Sequence, residues 1–418
     1  MKTTTAPNGG TTHRPTTRLL APALLVLALL AAACGSDDAD TAQTQQPATT
    51  AAPAADDQAD TQEQATDEAS AADEETVAEE ATSEAEAAEE SPAEQIGGEV
   101  NLYNWTDYIS EDLLARFSEE TGIAVNLSNY DSNETMLATL AAGGSGYDVI
   151  VPSDYIIPTL IEQDLIQPID AFAMENAANI DPAFLNPYFD DGRIYTAPYL
   201  YGTTGLAVDT SQVPDPPDSW AEFFAVPEGS DGSIGMMNDQ VEVIHAVLRA
   251  VGATPCSTDA ADYGRAEALL DEFKPSVSVI NSDGIIERMA AGENSIHMEW
   301  NGAAYRSWLE NPDLVYVYPS DGLTLWQDNF AVPTGAPNLE QAKVFINWMM
   351  DARNIAEATN WNGYANAIVG SDAFVDPDLA SSPMVVPGPE QLAFAAPVES
   401  CAVEAIDLYD RLWTSFRS

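Results

Sequence analysis

Lysine is nearly missing from this chain of 418 residues: only Lys2, Lys274 and Lys343 occur, and neither lysine nor arginine stands between Arg18 and Arg116. The 14 basic residues face 68 acidic ones, a formal net charge of −54. Such an imbalance excludes nucleic acid and anionic membrane surfaces as partners, because both would be repelled, while a polycation would be attracted. Cysteine is as scarce. After Cys34 only Cys256 and Cys401 remain, and His245 and His297 stand alone among apolar neighbours, so no Cys/His metal cluster is spelled out. The two late cysteines leave a disulfide or two free thiols open, the bridge being the natural use outside the cell. No phosphate loop, nucleophile triad or internal repeat is visible either.

What is present begins with a leader. Lys2, Arg14 and Arg18 precede the apolar run LLAPALLVLALLAAA, and Ala31 to Ala33 stand directly before Cys34. This is the layout of an export signal over 1–33 ending at a lipidated cysteine, and the apolar run is too short to span a bilayer stably. Residues 34–98 are Ala, Thr, Gln, Pro, Asp and Glu with almost no large apolar side chain, the composition of a solvated tether. As a coil it would reach roughly 45 Å. The body that remains, 99–418, holds 49 acids against 11 lysines and arginines, a net of −38, which reads as a surface adapted to salt or solubility. It is long enough for two domains.

Within the body, short apolar strands alternate with amphipathic helices. EVNLYNW, EDLLARFSEETG, IAVNLSNY, NETMLATLAAG and YDVIVPS predict a βαβαβ unit with a parallel sheet, Ser110 and Ser132 capping the helices and Gly122 closing the first. A second unit follows in YGTTGLAVD, SIGMMN, VEVIHAVLRAVG, AEALLDEF, VSVIN, IIERMAAG and SIHMEW, after which DNFAVPTGA and EQAKVFINWMMD return to the first. A chain that leaves one α/β unit, builds another and returns creates two lobes with a cleft between them. Ligands of such sheets gather outside the carboxyl ends of the strands.

At those ends aromatics and hydroxyl or carboxyl residues recur together: Trp105, Thr106, Asp107 and Tyr108; Ser153 and Tyr155; Asp239 and Glu242; Trp300; Trp326 and Asp328; Tyr364. Each alone reads as core or as a helix cap. Together they suit a flexible ligand whose ammonium groups need carboxylates at spaced points and flat apolar walls between them. Two other readings fit some of these residues: a carboxylate pair of the glycosidase kind, and a receptor for betaine, a cationic amino acid or an opine. Quaternary ammonium calls for an aromatic cage with few acids, and several acids call for several charges.

From Glu99 onward the chain resembles the periplasmic spermidine/putrescine-binding proteins of polyamine ABC transporters, through LYNWTDYISEDLLARFSEETGI, YDSNETM, YDVIVPSDY, NDQVEV, MEWNGAAY and LWQDNFAVP. The resemblance implies a type II periplasmic-binding-protein fold, α/β, each lobe a mixed sheet flanked by helices and joined by two crossover strands. One lobe would be 99–204 plus 328–372, the other 205–327 plus 373–418, which places Cys256 and Cys401 in the same lobe. It implies that Glu242 and Asp328 grip one terminal ammonium beside Trp326, and that Asp239 faces the internal amine. Thr106, Asp107 and Tyr155 would receive the other end near Ser153, and Trp105, Tyr108, Trp300 and Tyr364 would wall the methylenes. Asp107 replaces a common Glu, and Glu399 is a poor match for an assisting glutamine. Ala303 stands where putrescine-selective relatives carry a carboxylate, which favours spermidine. A non-enzymatic receptor without cofactor follows, a monomer held by lipid on Cys34 at the outer face of the cytoplasmic membrane or in the periplasm. It would deliver its ligand to a permease or act as a polyamine sensor.

Overall fold

The strand EVNLYNW hands over to its helix at Ser110, whose hydroxyl accepts the Leu113 amide at 3.1 Å, and the helix Glu111–Thr121 stops where Gly122 takes φ 75°. Ser132 does the same for the helix Asn133–Ala141, accepting from the Thr135 amide at 3.2 Å. Both caps satisfy amides that a helix start leaves open, and Glu111, Asp112 and Glu134 sit where the helix dipole favours negative charge. The apolar stripe of the first helix, Leu113, Leu114 and Phe117, is buried, with Phe117 edge-on to Phe345 and Trp348 at 5.1 and 5.3 Å. Each such side chain contributes about 1.5–3 kcal/mol.

These features belong to a computed structural model that describes residues 96–143 and 146–418. The expected leader, Cys34 and nearly all of the tether lie outside the described residues. Among the described residues no helix is long and apolar enough to cross a membrane.

The strands are β1 (Glu99–Trp105), β2 (Ala124–Tyr130), β3 (Val149–Ile150), β4 (Ile166–Gln167), β5 (Thr196–Asp209), β6 (Ile234–Met236), β7 (Val277–Ile280), β8 (Ile296–Trp300), β9 (Leu314–Val317), β10 (Leu323–Pro333), β11 (Ala365–Asn366) and β12 (Ala395–Pro397). β1 runs parallel to β2 and β3, as the βαβαβ pattern requires, and β6 runs parallel to β7 and β8. Between these groups lie β5 and β10, antiparallel to each other, in the order β2-β1-β3-β10-β5-β8-β6-β7. The first part of β5 pairs with β10 and β11 and its last part with β8 and β9. Two long strands therefore pass from one α/β lobe to the other. The alternation of apolar segments reveals both lobes but not the length of these strands, because their residues are buried on both faces and carry no period of two.

Cys256 and Cys401 are joined by a disulfide with Cα atoms 5.1 Å apart. His245 is not alone as its sequence neighbours suggest: it lies within 4.8 Å of both sulfurs, buried, and edge-on to Tyr409 at 5.9 Å. Tyr409 belongs to the C-terminal helix Val403–Arg417, which the strand pattern leaves unassigned.

Candidate functional site

Each site residue is presented by a chain end or an irregularity. β1 ends in Trp105, whose indole N–H donates to the Val151 carbonyl at 2.9 Å and so is fixed at the carboxyl end of the strand. The chain then turns through Asp107 at φ 55°, a left-handed conformation that Asp tolerates better than most residues. The pairing of β10 with β5 shifts register between Gln327 and Asn329, where Tyr199 and Leu200 of β5 stand opposite Asp328 alone, and Asp328 bridges Ser153 instead. A bulge of this kind disrupts the ladder locally. Here the carboxylate accepts the Ser153 hydroxyl at 2.6 Å and the Tyr108 phenol at 2.7 Å.

From the other lobe, Asp239 caps the helix Gln240–Ala250 by accepting the Glu242 amide at 3.0 Å. One turn on, Glu242 accepts the Thr204 hydroxyl at 2.7 Å with one oxygen, and its second oxygen is buried with no partner in the protein. The rings close around these acids. Trp105 and Trp300 meet at 6.0 Å and 72°, Trp326 and Tyr364 at 5.3 Å and 67°, and Tyr108 and Tyr364 at 5.4 Å and 69°. Gly202 and Gly302 make room for them: a β-carbon at Gly202 would meet the Trp326 ring at 2.5 Å, and one at Gly302 the Tyr364 ring at 2.4 Å.

All twelve candidate residues line one cleft. Trp105, Tyr108, Ser153, Tyr155, Asp239, Glu242, Trp326, Asp328 and Tyr364 are buried in it, Trp300 is half-buried, and Thr106 and Asp107 are exposed at its mouth. The cleft also includes residues that the motifs do not single out: Tyr130 and Asp131 at the end of β2, the turn from Ser282 to Ile286, Arg306 and Val398. Val398 occupies the place considered for Glu399, which is exposed. Glu134 stands behind the wall and accepts the Tyr155 phenol at 3.3 Å. Asp131 and Glu134 sit in the recognisable stretch YDSNETM, so a carboxylate count over that motif would have found them.

The electrostatics have one dominant feature. Among the described residues no lysine, arginine or histidine forms an ion pair with Asp239, Glu242 or Asp328; the ion pairs are Arg116 with Glu120 and Glu357, and Arg265 with Asp262. Burial pushes the Asp328 carboxyl up to about 7 against two donated hydrogen bonds that hold it down. Burial likewise raises Glu242, with Asp239 adding to the effect, and raises Asp239. Burial and Asp239 raise Glu134. Withdrawing several carboxylates from water without an ion-pair partner is costly, and the nearby charge of Arg249 offsets only part of this at Glu242. The arrangement can bind a multiply charged cation that carries enough apolar surface to touch the rings.

Fold and site together define a two-lobed solute-binding protein. Residues 112–385 match the bacterial extracellular solute-binding protein family, and the chain belongs to that family. It is 33% identical over 293 residues to the spermidine/putrescine-binding periplasmic protein of Salmonella typhimurium, covering 70% of this chain and 84% of that one. Its structure is similar to that of a Listeria monocytogenes protein described as a spermidine/putrescine ABC transporter, with a TM-score of 0.73 at 31% identity over 76% and 98% of the two chains. It is also similar to the spermidine/putrescine ABC transporter substrate-binding protein of Streptococcus pneumoniae, with a TM-score of 0.64 at 28% identity over 77% and 99%.

Proposed function

We propose that this chain captures a polyamine, spermidine in preference to putrescine, in the cleft between its lobes and delivers it to a membrane permease of the ABC type. The carrying observation is the set of buried acids, Asp239, Glu242 and Asp328, with no protein cation paired to them and with Trp105, Trp300, Trp326 and Tyr364 between and around them. Glu242 and Asp328 take one terminal ammonium and Asp239 the internal amine. Thr106, Asp107 and Tyr155 receive the far end at the mouth. Ala303, a small buried residue of the cleft wall, adds no further acid and leaves length for a triamine. The relatives' names support the ligand class. The leader and Cys34 support a lipid-anchored monomer on the outer face of the cytoplasmic membrane or in the periplasm.

In this reading the lobes are 99–204 with 328–372, and 205–327 with 373–418, hinged near Thr204 and Gln327 where β5 and β10 cross. Ligand favours the closed state because both lobes touch the same molecule. Among the contacts that bridge the lobes so defined, Asn238 donates to Asp131 at 2.7 Å, the Ala303 amide donates to the Tyr364 phenol at 3.2 Å, and Arg306 donates to the Asp107 carbonyl at 3.3 Å.

A thermal-shift panel of putrescine, spermidine, spermine, betaine and arginine tests the ligand class. Spermidine is expected to raise the melting temperature most and betaine not at all; a response to betaine or arginine alone would overturn the reading. Gly302→Ala tests closure. The new methyl group would collide with the Tyr364 ring from the opposite lobe, so spermidine affinity is expected to fall about tenfold while the ligand-free melting temperature changes little. Equal losses of both would place the clash inside a lobe.

A further inference from the structure

We infer that residues 397–401 form a strap joining the two lobes along the cleft wall, in which Ser400 and Tyr188 are positioning residues and the Cys256–Cys401 disulfide sets the strap's place. The inference rests on the polyamine reading for its ligand and on separate observations for its geometry.

Both ends of the segment are fixed. At one end β12 lies parallel to the start of β10, with Ala395, Ala396 and Pro397 opposite Leu323, Thr324 and Leu325. At the other, Cys401 is bonded to Cys256, and the Cys256 amide donates to the Tyr409 phenol at 2.9 Å. Cys256 follows the helix Gln240–Ala250 by a few residues, and that helix begins with Asp239 and carries Glu242. The bridge thus ties the strap to the element that presents two cleft acids. Between the fixed ends only Val398, Glu399 and Ser400 remain. Val398 is buried against the cleft, and its carbonyl accepts the Tyr188 phenol. The Ser400 hydroxyl donates to the carbonyl of Tyr155, whose own ring lines the cleft.

Tyr188 and Tyr155 belong to the first lobe and the strap to the second, so these two bonds join the lobes. Tyr188 is 52% exposed, and apolar packing alone does not account for its position; its hydroxyl contact with the strap does. A short segment held at both ends forfeits little freedom when it makes such bonds, so they add to closure nearly their full net value. Without the bridge, that end of the segment would be held only through the helix Val403–Arg417 two residues on, and part of the advantage would be lost.

The test uses the full chain and three variants: Ser400→Ala, Tyr188→Phe, and the double Cys256→Ser/Cys401→Ser. Spermidine dissociation is followed by stopped flow, and hydrogen–deuterium exchange is measured around Tyr155 without ligand. Ser400→Ala and Tyr188→Phe are each expected to speed dissociation about three- to fivefold with an unchanged ligand-free melting temperature. The cysteine variant is expected to lower the melting temperature and also to speed dissociation. In that background Ser400→Ala adds little, since the two act through one segment. Exchange near Tyr155 rises in all three. Unchanged dissociation in Ser400→Ala and Tyr188→Phe, or effects that simply add to those of the cysteine variant, would overturn the strap. Should the wild-type chain bind no polyamine, the ligand reading fails by itself; unchanged exchange near Tyr155 in the variants then overturns the strap, and increased exchange upholds it.

Discussion

Asp328→Asn is expected to weaken spermidine binding by about two orders of magnitude or more, measured by equilibrium dialysis, with the fold intact by circular dichroism. The size follows from burial. Removing one member of a buried, hydrogen-bonded charge pair typically costs about 3–5 kcal/mol, because the partner's desolvation is no longer offset. Two features make this site sensitive. Asp328 lies opposite the bulge of β5, and its backbone bridges Ser153, which fixes its place. Its oxygens already accept the Ser153 and Tyr108 hydroxyls, and an asparagine would turn an N–H₂ group towards one of those donors. Glu242→Gln removes the other carboxylate of the proposed pair and is expected to cost at least tenfold. Unchanged affinity in both would dismiss the assignment of the terminal ammonium.

Acidification produces the second large effect. The cleft carboxyls must be ionised to hold ammonium, and burial places their protonation well above the ordinary carboxylate range, at about 7 for Asp328. Affinity is therefore full above that value and is lost as pH falls through it. Asp328 alone accounts for roughly a 30-fold loss between pH 8 and 5.5, at tenfold per unit below its midpoint. The raised positions of Asp239, Glu242 and Glu134 extend the same trend. At neutral pH binding should release protons, so calorimetric heats in buffers of different ionisation enthalpy should differ in proportion. Stability of the ligand-free protein runs the opposite way. A carboxyl raised on folding contributes most below its unfolded value near 4, and that contribution disappears as pH rises through the folded value. Ligand-free protein should thus melt lower at pH 8 than at pH 5.5 from these groups, and spermidine should restore the difference. An affinity flat from pH 5.5 to 8 would show that the acids are not the ligand's counter-charges.

Much of this arrangement was legible in the sequence because it depends on local chemistry. Ser110, Ser132 and Gly122 announce helix ends by residue type alone, and the strand-end position of NWTDY follows from the apolar run before it. The recurrence of acids beside rings in NWTDY, NDQVEV and LWQDNF pointed to one cleft before any geometry was known. What stayed hidden depends on long-range pairing. Nothing local shows that Asp328 lies opposite a bulge of β5, that β5 continues for fourteen residues through both lobes, or that Val398 rather than Glu399 faces inward. The proximity of His245 to the disulfide brings its helix and the nearby Cys256 together with Cys401, 145 residues further on, and no spacing rule anticipates it. Asp131 and Glu134 were visible as letters but not as neighbours of Asp239, since that requires the β2 end to face the helix Gln240–Ala250.

The central claim is that these scattered acids and rings converge on one organic polycation, and isothermal titration of spermidine into the full chain tests it most directly. The account predicts a single saturable site per chain, with heat that vanishes in the Asp328→Asn/Glu242→Gln double variant. Absence of heat with the wild-type chain, or the same titration curve in the double variant, would contradict it.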